Sequence, residues 1–320
     1  MATPETTPAD VLQRFNRITV VGAGTIGISW AALFLGHGLT VTINDPAPDI
    51  EARVRAELAE LAPMLAELGM STEGLTEHLR FEADVERAVA DADVVVENGP
   101  ENLAFKRELF GRIEKVVGPD ALLLTSTSGI RATDIARDLT RPGRLLVGHP
   151  FNPPHLVPLV EVVPGERTDP AAVDDAVRFY RALGKRPLVL RKEVPGFVGN
   201  RLQAALFREA VHLVEQGVVD IAELDEVVTS SIGMRWAASG PFRTFHLGGG
   251  PGGLAHFLAH LGPGLELRWT QLGDPHFDEP TVATLTEQAE RAFGETPYQE
   301  LQRQRDHDQL AIQRALGDRA

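Results

Sequence analysis

The first half of the chain alternates short apolar runs with longer amphipathic segments. Apolar stretches at residues 91–97, 121–125, 144–148 and 159–163 have the length of buried strands. Residues 51–68 and 106–117 instead carry apolar side chains at helical spacing. Strands that alternate with helices favour a mostly parallel sheet covered on both faces. This pattern predicts a Rossmann-like, doubly wound α/β domain, whose ligands bind at the carboxyl ends of the strands.

The pattern becomes helical after Pro195. Apolar residues recur at helical spacing from Gly196 to Gly217, and later segments share this period: residues 221–231, 254–261, 282–293 and 297–316. We therefore predict the α/β domain over residues 17–195 and an all-α domain over residues 196–320, and we expect residues 1–16 to be a frayed tail. The helix after Gly196 is apolar over too much of its circumference for a free surface helix. This predicts a homodimer through the helical domain.

Composition and charge narrow the classes of partner. The chain has 320 residues, enough for two domains with sizeable cores, and a formal net charge of -14. That charge argues against nucleic acid or an anionic membrane surface as the main partner, because both require a positive footprint. The absence of cysteine excludes disulfides, thiolate metal sites and a cysteine nucleophile. With neither a signal-like N-terminus nor an apolar run of membrane-spanning length, we expect a cytoplasmic protein.

A glycine-rich motif, Gly22-Ala-Gly-Thr-Ile-Gly27, lies between an apolar strand and a helix-like segment. The first glycine permits a tight turn, Gly24 lets the backbone approach a pyrophosphate, and Gly27 lets the helix pack on the strand. The amides at the start of the helix, at Thr25 and Ile26, then face the phosphates. This arrangement predicts a dinucleotide site.

Asp45 completes the motif. It lies 18 residues beyond Gly27, at the end of the next apolar strand, where a carboxylate accepts both ribose hydroxyls of an adenosine and repels a 2′-phosphate. We therefore predict NAD rather than NADP as the cofactor. The alternative is a glycine turn of a strand-helix-strand unit that binds no ligand.

Four polar residues near strand ends or at the start of the helical domain are candidates for catalysis: Ser128, His149, Glu161 and Asn200. Of these side chains only the imidazole exchanges a proton near neutral pH without a large pKa shift, so His149 is the natural general acid and base. A carboxylate such as Glu161 would orient it, and Ser and Asn donors would hold a substrate oxygen. Each residue also has an ordinary structural interpretation, as a helix cap, a loop histidine, a solvent-facing carboxylate or a helix-surface amide.

Several ordered motifs together resemble the 3-hydroxyacyl-CoA dehydrogenase family. They are the glycine-rich turn, Thr127-Ser128, His149-Pro-Phe-Asn-Pro153, Leu159-Val-Glu-Val-Val163 and Pro195-Gly-Phe-Val-Gly-Asn-Arg-Leu202. The resemblance implies catalytic roles for Ser128, His149, Glu161 and Asn200. It also implies cofactor contacts at Glu101, Lys106, Ser128 and Asn152. Ser126 stands where many members of the family have Asn.

The segment from Gly233 to Gly248 resembles the branch of that family that contains carnitine 3-dehydrogenase and gulonate 3-dehydrogenase. Membership of this branch implies a free 3-hydroxy acid as substrate and hydride transfer between carbon 3 and NAD, with no metal. Arg235 is a candidate for the substrate carboxylate, with Trp236 beside it, although a structural ion pair explains Arg235 equally well.

Three other functions remain open at this point. The first is a 3-oxo ketoreductase of a bacterial aromatic polyketide pathway, which relatives of the family also provide. The second is a Rossmann methyltransferase, which would leave His149 and Glu161 without a role. The third is a non-catalytic nucleotide-binding protein of the crystallin kind.

Overall fold

The computed structural model describes residues 7–317, and the chain divides into two compact units after Val198. The first unit contains one eight-stranded sheet with the order β3-β2-β1-β4-β5-β6-β7-β8. Its strands are β1 (Arg17–Val21), β2 (Thr40–Asn44), β3 (Leu79–Phe81), β4 (Val94–Glu97), β5 (Leu122–Thr125), β6 (Leu145–Pro150), β7 (Leu159–Pro164) and β8 (Arg186–Val189).

The sheet changes direction between β6 and β7. Strands β1 to β6 are parallel, β7 runs antiparallel to β6, and β8 is parallel to β7. The mostly parallel sheet expected from the sequence is confirmed. Two strands were not among those predicted: β3, which has three residues, and β8, which is largely exposed.

The described part of the first unit has seven α-helices: α1 (Pro8–Arg14), α2 (Thr25–Gly36), α3 (Ile50–Glu67), α4 (Val85–Val89), α5 (Leu103–Val116), α6 (Ala132–Ile135) and α7 (Pro170–Ala182). They cover both faces of the sheet. Successive strand residues point to opposite faces, and the buried apolar side chains on each face pack against helices. In β4, Val94 and Val96 pack in one apolar cluster with α2, α3 and α7, whereas Val95 packs in a second cluster with α4 and α5.

The expectation of a frayed tail over residues 1–16 is wrong for its described part. Thr7 and Asp10 form a reciprocal capping box at the start of α1, and Val11 and Phe15 are buried in the main core. Arg14 makes a two-pronged ion pair with Asp175 on α7 at 2.8 and 2.9 Å. The apolar side chains and this ion pair hold the segment in place; residues 1–6 lie outside the described range.

The second unit is helical, as expected. Its helices are α8 (Gly199–Glu215), α9 (Ile221–Val227), α10 (Gly233–Gly248), α11 (Gly253–Trp269), α12 (Glu279–Phe293) and α13 (Tyr298–Leu316). A π-helical turn joins α9 to α10, and α10 bends at Gly240-Pro241, where Gly240 has φ +65°. Within residues 7–317, no helix is both long and apolar enough to cross a membrane.

Candidate active site

The three glycines of the nucleotide motif have distinct local roles. Gly22 has φ +86°, and a Cβ there would lie 2.9 Å from the backbone of Asn98. A Cβ on Gly27 would overlap the carbonyl oxygen of Gly22, so the glycine allows α2 to pack on the turn. Gly24 has no atom within 4 Å of the position its Cβ would take, and as the N-cap of α2 it offers no side chain to the first amides of the helix. This open N-terminus fits a pyrophosphate.

Asp45 is fixed beside this turn. Its Oδ2 accepts a hydrogen bond from Ala23 N at 2.8 Å, and its Oδ1 accepts one from Ala47 N at 2.9 Å. Arg53 donates to the carbonyl oxygen of Ala23 at 2.9 Å. The carboxylate is thus held at the end of β2 by two backbone amides of the chain itself. The uncapped helix and the fixed carboxylate together fit the phosphates and ribose of NAD.

His149 and Glu161 form a buried pair. They stand opposite each other in the antiparallel register of β6 and β7, and His149 Nδ1 lies 2.9 Å from Glu161 Oε2. A carboxylate only accepts hydrogen bonds, so the proton of a neutral imidazole sits on Nδ1 and the lone pair on Nε2. His149 was expected just beyond the strand, but β6 continues to Pro150 because its pairing with β7 does. The strand pairing therefore sets the geometry of the acid–base pair.

Ser128 and Glu101 are also brought together. One oxygen of Glu101, Oε1, accepts hydrogen bonds from Thr127 Oγ1 at 2.6 Å and from the amides of Ser128 and Gly129 at 3.0 Å each. Ser128 Oγ lies 3.4 Å from the same oxygen. The loop that follows β5 is therefore held by a carboxylate from the loop between β4 and α5, and Ser128 itself is exposed on it.

Lys106 has a buried environment that the sequence did not reveal. Its ammonium donates to both carboxylate oxygens of Glu97, at 2.7 and 2.8 Å, and lies 3.4 Å from the carbonyl oxygen of Gly99. Thr125 donates to Glu97 at 2.6 Å. These contacts use the three N–H bonds of Lys106, so the cofactor contact expected for it stays a prediction that requires one of them to be exchanged. The lone Glu at the end of an apolar strand is the signal that could have found this network.

The other candidates are exposed or half-buried. Asn152 is exposed in the loop between β6 and β7, and Asn200 is half-buried in the first turn of α8. Arg235 and Trp236 are exposed on α10 of the helical unit. Ser126, at the position where the family commonly has Asn, accepts a hydrogen bond from the indole of Trp30 at 3.3 Å.

Two buried anchors hold the loop that follows His149, and neither was expected. Ser29, on the helix of the glycine-rich motif, contacts His155 Nδ1 at 2.8 Å and accepts a hydrogen bond from the His155 amide at 2.9 Å. Lys185 donates to the carbonyl oxygens of Pro154 and Val157, the latter at 3.0 Å. Burial lowers the pKa of Lys185 to about 7. Ser29 and Lys185 are isolated polar residues in the sequence, and no local pattern indicates that they contact residues 154–157.

Two models of one protein family match most of the chain. Residues 17–194 match the NAD binding domain of 3-hydroxyacyl-CoA dehydrogenase, and residues 196–290 match its C-terminal domain. L-carnitine dehydrogenase of Streptomyces griseus is 44% identical over 97% of this chain and 91% of the relative. L-carnitine dehydrogenase of Pseudomonas aeruginosa is 45% identical over 92% of each chain.

A solved structure is similar over nearly the whole length. The 5-formyl-3-hydroxy-2-methylpyridine 4-carboxylic acid 5-dehydrogenase, described as an NAD+ dependent dismutase, has a TM-score of 0.81 and 33% identity over 96% of this chain and 100% of that one. The resemblance inferred from the motifs is therefore confirmed. The chain belongs to the 3-hydroxyacyl-CoA dehydrogenase family and is an NAD-dependent oxidoreductase that interconverts 3-hydroxy and 3-oxo acids.

Proposed function

We propose that the protein oxidises the 3-hydroxyl group of L-carnitine to a 3-oxo group with NAD+. The observation that carries the proposal is the buried His149–Glu161 pair beside a strand end, in a chain that is 41–45% identical to several L-carnitine dehydrogenases. Such a pair supplies a base for a secondary alcohol without a metal.

The proton transfer follows from the tautomer of His149. Nε2 carries the lone pair, so it accepts the proton of the 3-hydroxyl while a hydride leaves carbon 3. Bound NAD+ supplies the hydride acceptor. The imidazole becomes a cation as it takes the proton, and Glu161 stabilises that charge at 2.9 Å. In the reverse direction, His149 returns the proton to the developing alkoxide.

We assign the remaining polar candidates to binding and orienting the substrate and the cofactor. In the first unit, Ser128 donates to the reacting oxygen as negative charge develops on it, and the family resemblance implies the same role for Asn200. The exposed Arg235 and Trp236 provide chemistry for the two ends of L-carnitine: a guanidinium for the carboxylate, and an indole face for the trimethylammonium group. In the nucleotide site, Asp45 holds the adenosine ribose and the α2 amides hold the pyrophosphate.

We further propose a homodimer formed by the helical unit. Large apolar side chains are widely exposed there, among them Phe242 at 77%, Phe277 at 68% and Trp269 at 65%. On α8, Leu202 and Phe207 are also exposed. Apolar surface of this extent is typical of a protein interface. Light scattering at micromolar concentration should give twice the chain mass of 34.7 kDa, and a mass near 35 kDa would contradict the dimer.

The activity is tested directly with purified protein by following NADH at 340 nm. L-carnitine is the expected substrate, with D-carnitine as the matched enantiomer. L-gulonate, 3-hydroxybutyrate and acetoacetyl-CoA cover the other substrates of the family, and bicyclic aromatic 3-oxo acids test the ketoreductase alternative. Greater kcat/KM for any of these than for L-carnitine would overturn the assignment. We place the reaction in the cytoplasm, in keeping with a chain that has no cysteine.

A further inference from the structure

The turn that ends the first unit contacts both members of the acid–base pair. The amide of Val198 donates to Glu161 Oε1 at 3.0 Å, while Glu161 Oε2 faces His149 Nδ1 at 2.9 Å. The ring of Phe197 lies against the imidazole, with the two ring centroids 5.4 Å apart and their planes at 51°. Two successive residues of one turn therefore engage the carboxylate and the imidazole separately.

Phe197 holds an unfavourable backbone conformation in this turn. Its φ is +48°, and it is the one non-glycine residue among residues 7–317 with a positive φ. The left-handed region brings Cβ close to the backbone of a residue with a side chain, so it persists only where the surroundings enforce it. The preceding Gly196 has φ +73°, and Phe197 N closes the turn on the carbonyl oxygen of Val194 at 3.0 Å.

The surroundings of Phe197 explain why the conformation is kept. Its side chain is fully buried and belongs to the apolar cluster on the same face of the sheet as Val147 and Val163, which are two residues from His149 and Glu161 on β6 and β7. If Phe197 adopted an ordinary backbone conformation, the following peptide would turn and the Val198 amide would leave Glu161. The buried ring and the amide contact therefore depend on the same strained residue.

We propose that Phe197 is a positioning residue for His149 and Glu161. Its ring limits rotation of the imidazole, and its left-handed backbone presents the Val198 amide to the carboxylate. Together these contacts keep Nδ1 on Glu161 and leave Nε2 to exchange the substrate proton. The inference rests on the proposed role of His149 as proton acceptor.

The test separates positioning from simple packing. Phe197→Leu keeps a buried apolar side chain and the same backbone requirement but removes the aromatic ring. Phe110→Leu is the matched control, because Phe110 is fully buried in the same apolar cluster. Both variants should lower the Tm, but only Phe197→Leu should lower kcat, by about tenfold or more, with the Kd of NADH unchanged.

A spectroscopic readout makes the test independent of turnover. In protein labelled with 15N-histidine, the two ring nitrogens of His149 should have well-separated shifts, because one bears the proton and the other does not. A His149→Gln variant assigns these signals among the ten histidines. We expect the separation to shrink in Phe197→Leu and to persist in Phe110→Leu.

The backbone part of the proposal has its own comparison. Phe197→Gly and Phe197→Ala both remove the ring, but glycine adopts a positive φ without strain. Phe197→Gly should therefore have the higher Tm, and an equal or lower Tm would overturn the backbone argument. Native kcat and native nitrogen shifts in Phe197→Leu would reduce Phe197 to a packing residue. If the unmodified protein oxidises no 3-hydroxy acid, the proposed function fails, whereas the nitrogen shifts still decide the role of Phe197.

Discussion

The hydroxyl group of Tyr180 lies directly against the α-carbon of Gly148. A Cβ added to Gly148 would overlap that hydroxyl oxygen and lie 2.9 Å from Tyr180 Cζ. Tyr180 is buried in the main core, and its hydroxyl makes no hydrogen bond to any residue in the described part of the chain. Gly148 therefore leaves free the space that the Tyr180 side chain of α7 occupies.

This contact predicts the effects of two substitutions. Gly148→Ala should destabilise the protein by about 2 kcal/mol, because a methyl group is forced into a filled core. Tyr180→Phe should be at least as stable as the unmodified protein, because it removes a buried hydroxyl that has no partner. Urea unfolding should show that Gly148→Ala costs less in the Tyr180→Phe background. Strictly additive effects would mean that the two residues do not meet.

Asp45 should control the choice between NADH and NADPH. Asp45→Ser removes the carboxylate that accepts the ribose hydroxyls and repels a 2′-phosphate, and it leaves Arg53 as a cation at the same turn. Fluorescence titration should therefore show weaker NADH binding and stronger NADPH binding in the variant. Tight NADPH binding by the unmodified protein would contradict this interpretation of Asp45.

His149 and Glu161 should act as one unit in turnover. His149→Ala and Glu161→Gln should each lower kcat by about two to four decades and leave NADH affinity nearly unchanged. The double variant should be little worse than His149→Ala, because the carboxylate acts through the imidazole. Near-normal turnover of Glu161→Gln would show that the carboxylate is structural.

Trp236 should discriminate between substrates by charge. Replacing it with Ala should raise the KM for L-carnitine by about five- to thirtyfold, which corresponds to the loss of about 1–2 kcal/mol of cation–π interaction. Trp236→Phe should retain part of the affinity. 3-Hydroxybutyrate, which lacks the trimethylammonium group, serves as the internal control. An equal rise in KM for both substrates would argue against this contact.

Lys185 should make stability depend on pH above neutrality. Burial lowers its pKa to about 7, whereas an unfolded lysine titrates near 10.4, so between these values the unfolded chain binds the extra proton. Its contribution to the free energy of unfolding therefore rises from pH 7 to pH 10, by at most about 1.4 kcal/mol per pH unit. Burial also lowers the pKa of His37 from its ordinary value of 6.5. Its effect on the free energy of unfolding therefore changes only below about pH 6.5, outside the range of Lys185.

The pH effect is measured by urea unfolding at fixed protein concentration between pH 7 and pH 9. Lys185→Met should flatten the slope, whereas Lys192→Met, at an exposed site, should leave it unchanged. An identical slope in the unmodified protein and in Lys185→Met would show that the ammonium is not held in an apolar environment.

The sequence predicts the central strands because their residues are buried on both faces and form continuous apolar runs, as at residues 94–96. It does not predict β8, because the short apolar run at residues 187–190 begins with Pro187, a residue typical of turns and edge strands, and the strand is largely exposed. The four catalytic candidates could be identified from strand ends and from ordered motifs. The left-handed backbone of Phe197 could not, because its conformation is imposed by tertiary contacts rather than by its residue type.

The antiparallel register of β6 and β7 also constrains how this chain can vary. Because side chains alternate along a strand, a one-residue insertion or deletion within either strand would send His149 and Glu161 to opposite faces of the sheet. The connection at residues 151–158 is outside the register, so substitutions there leave the two residues opposite each other. The exposed side chains of this loop can therefore change during evolution while the acid–base pair is kept, whereas the paired parts of the two strands must keep their length.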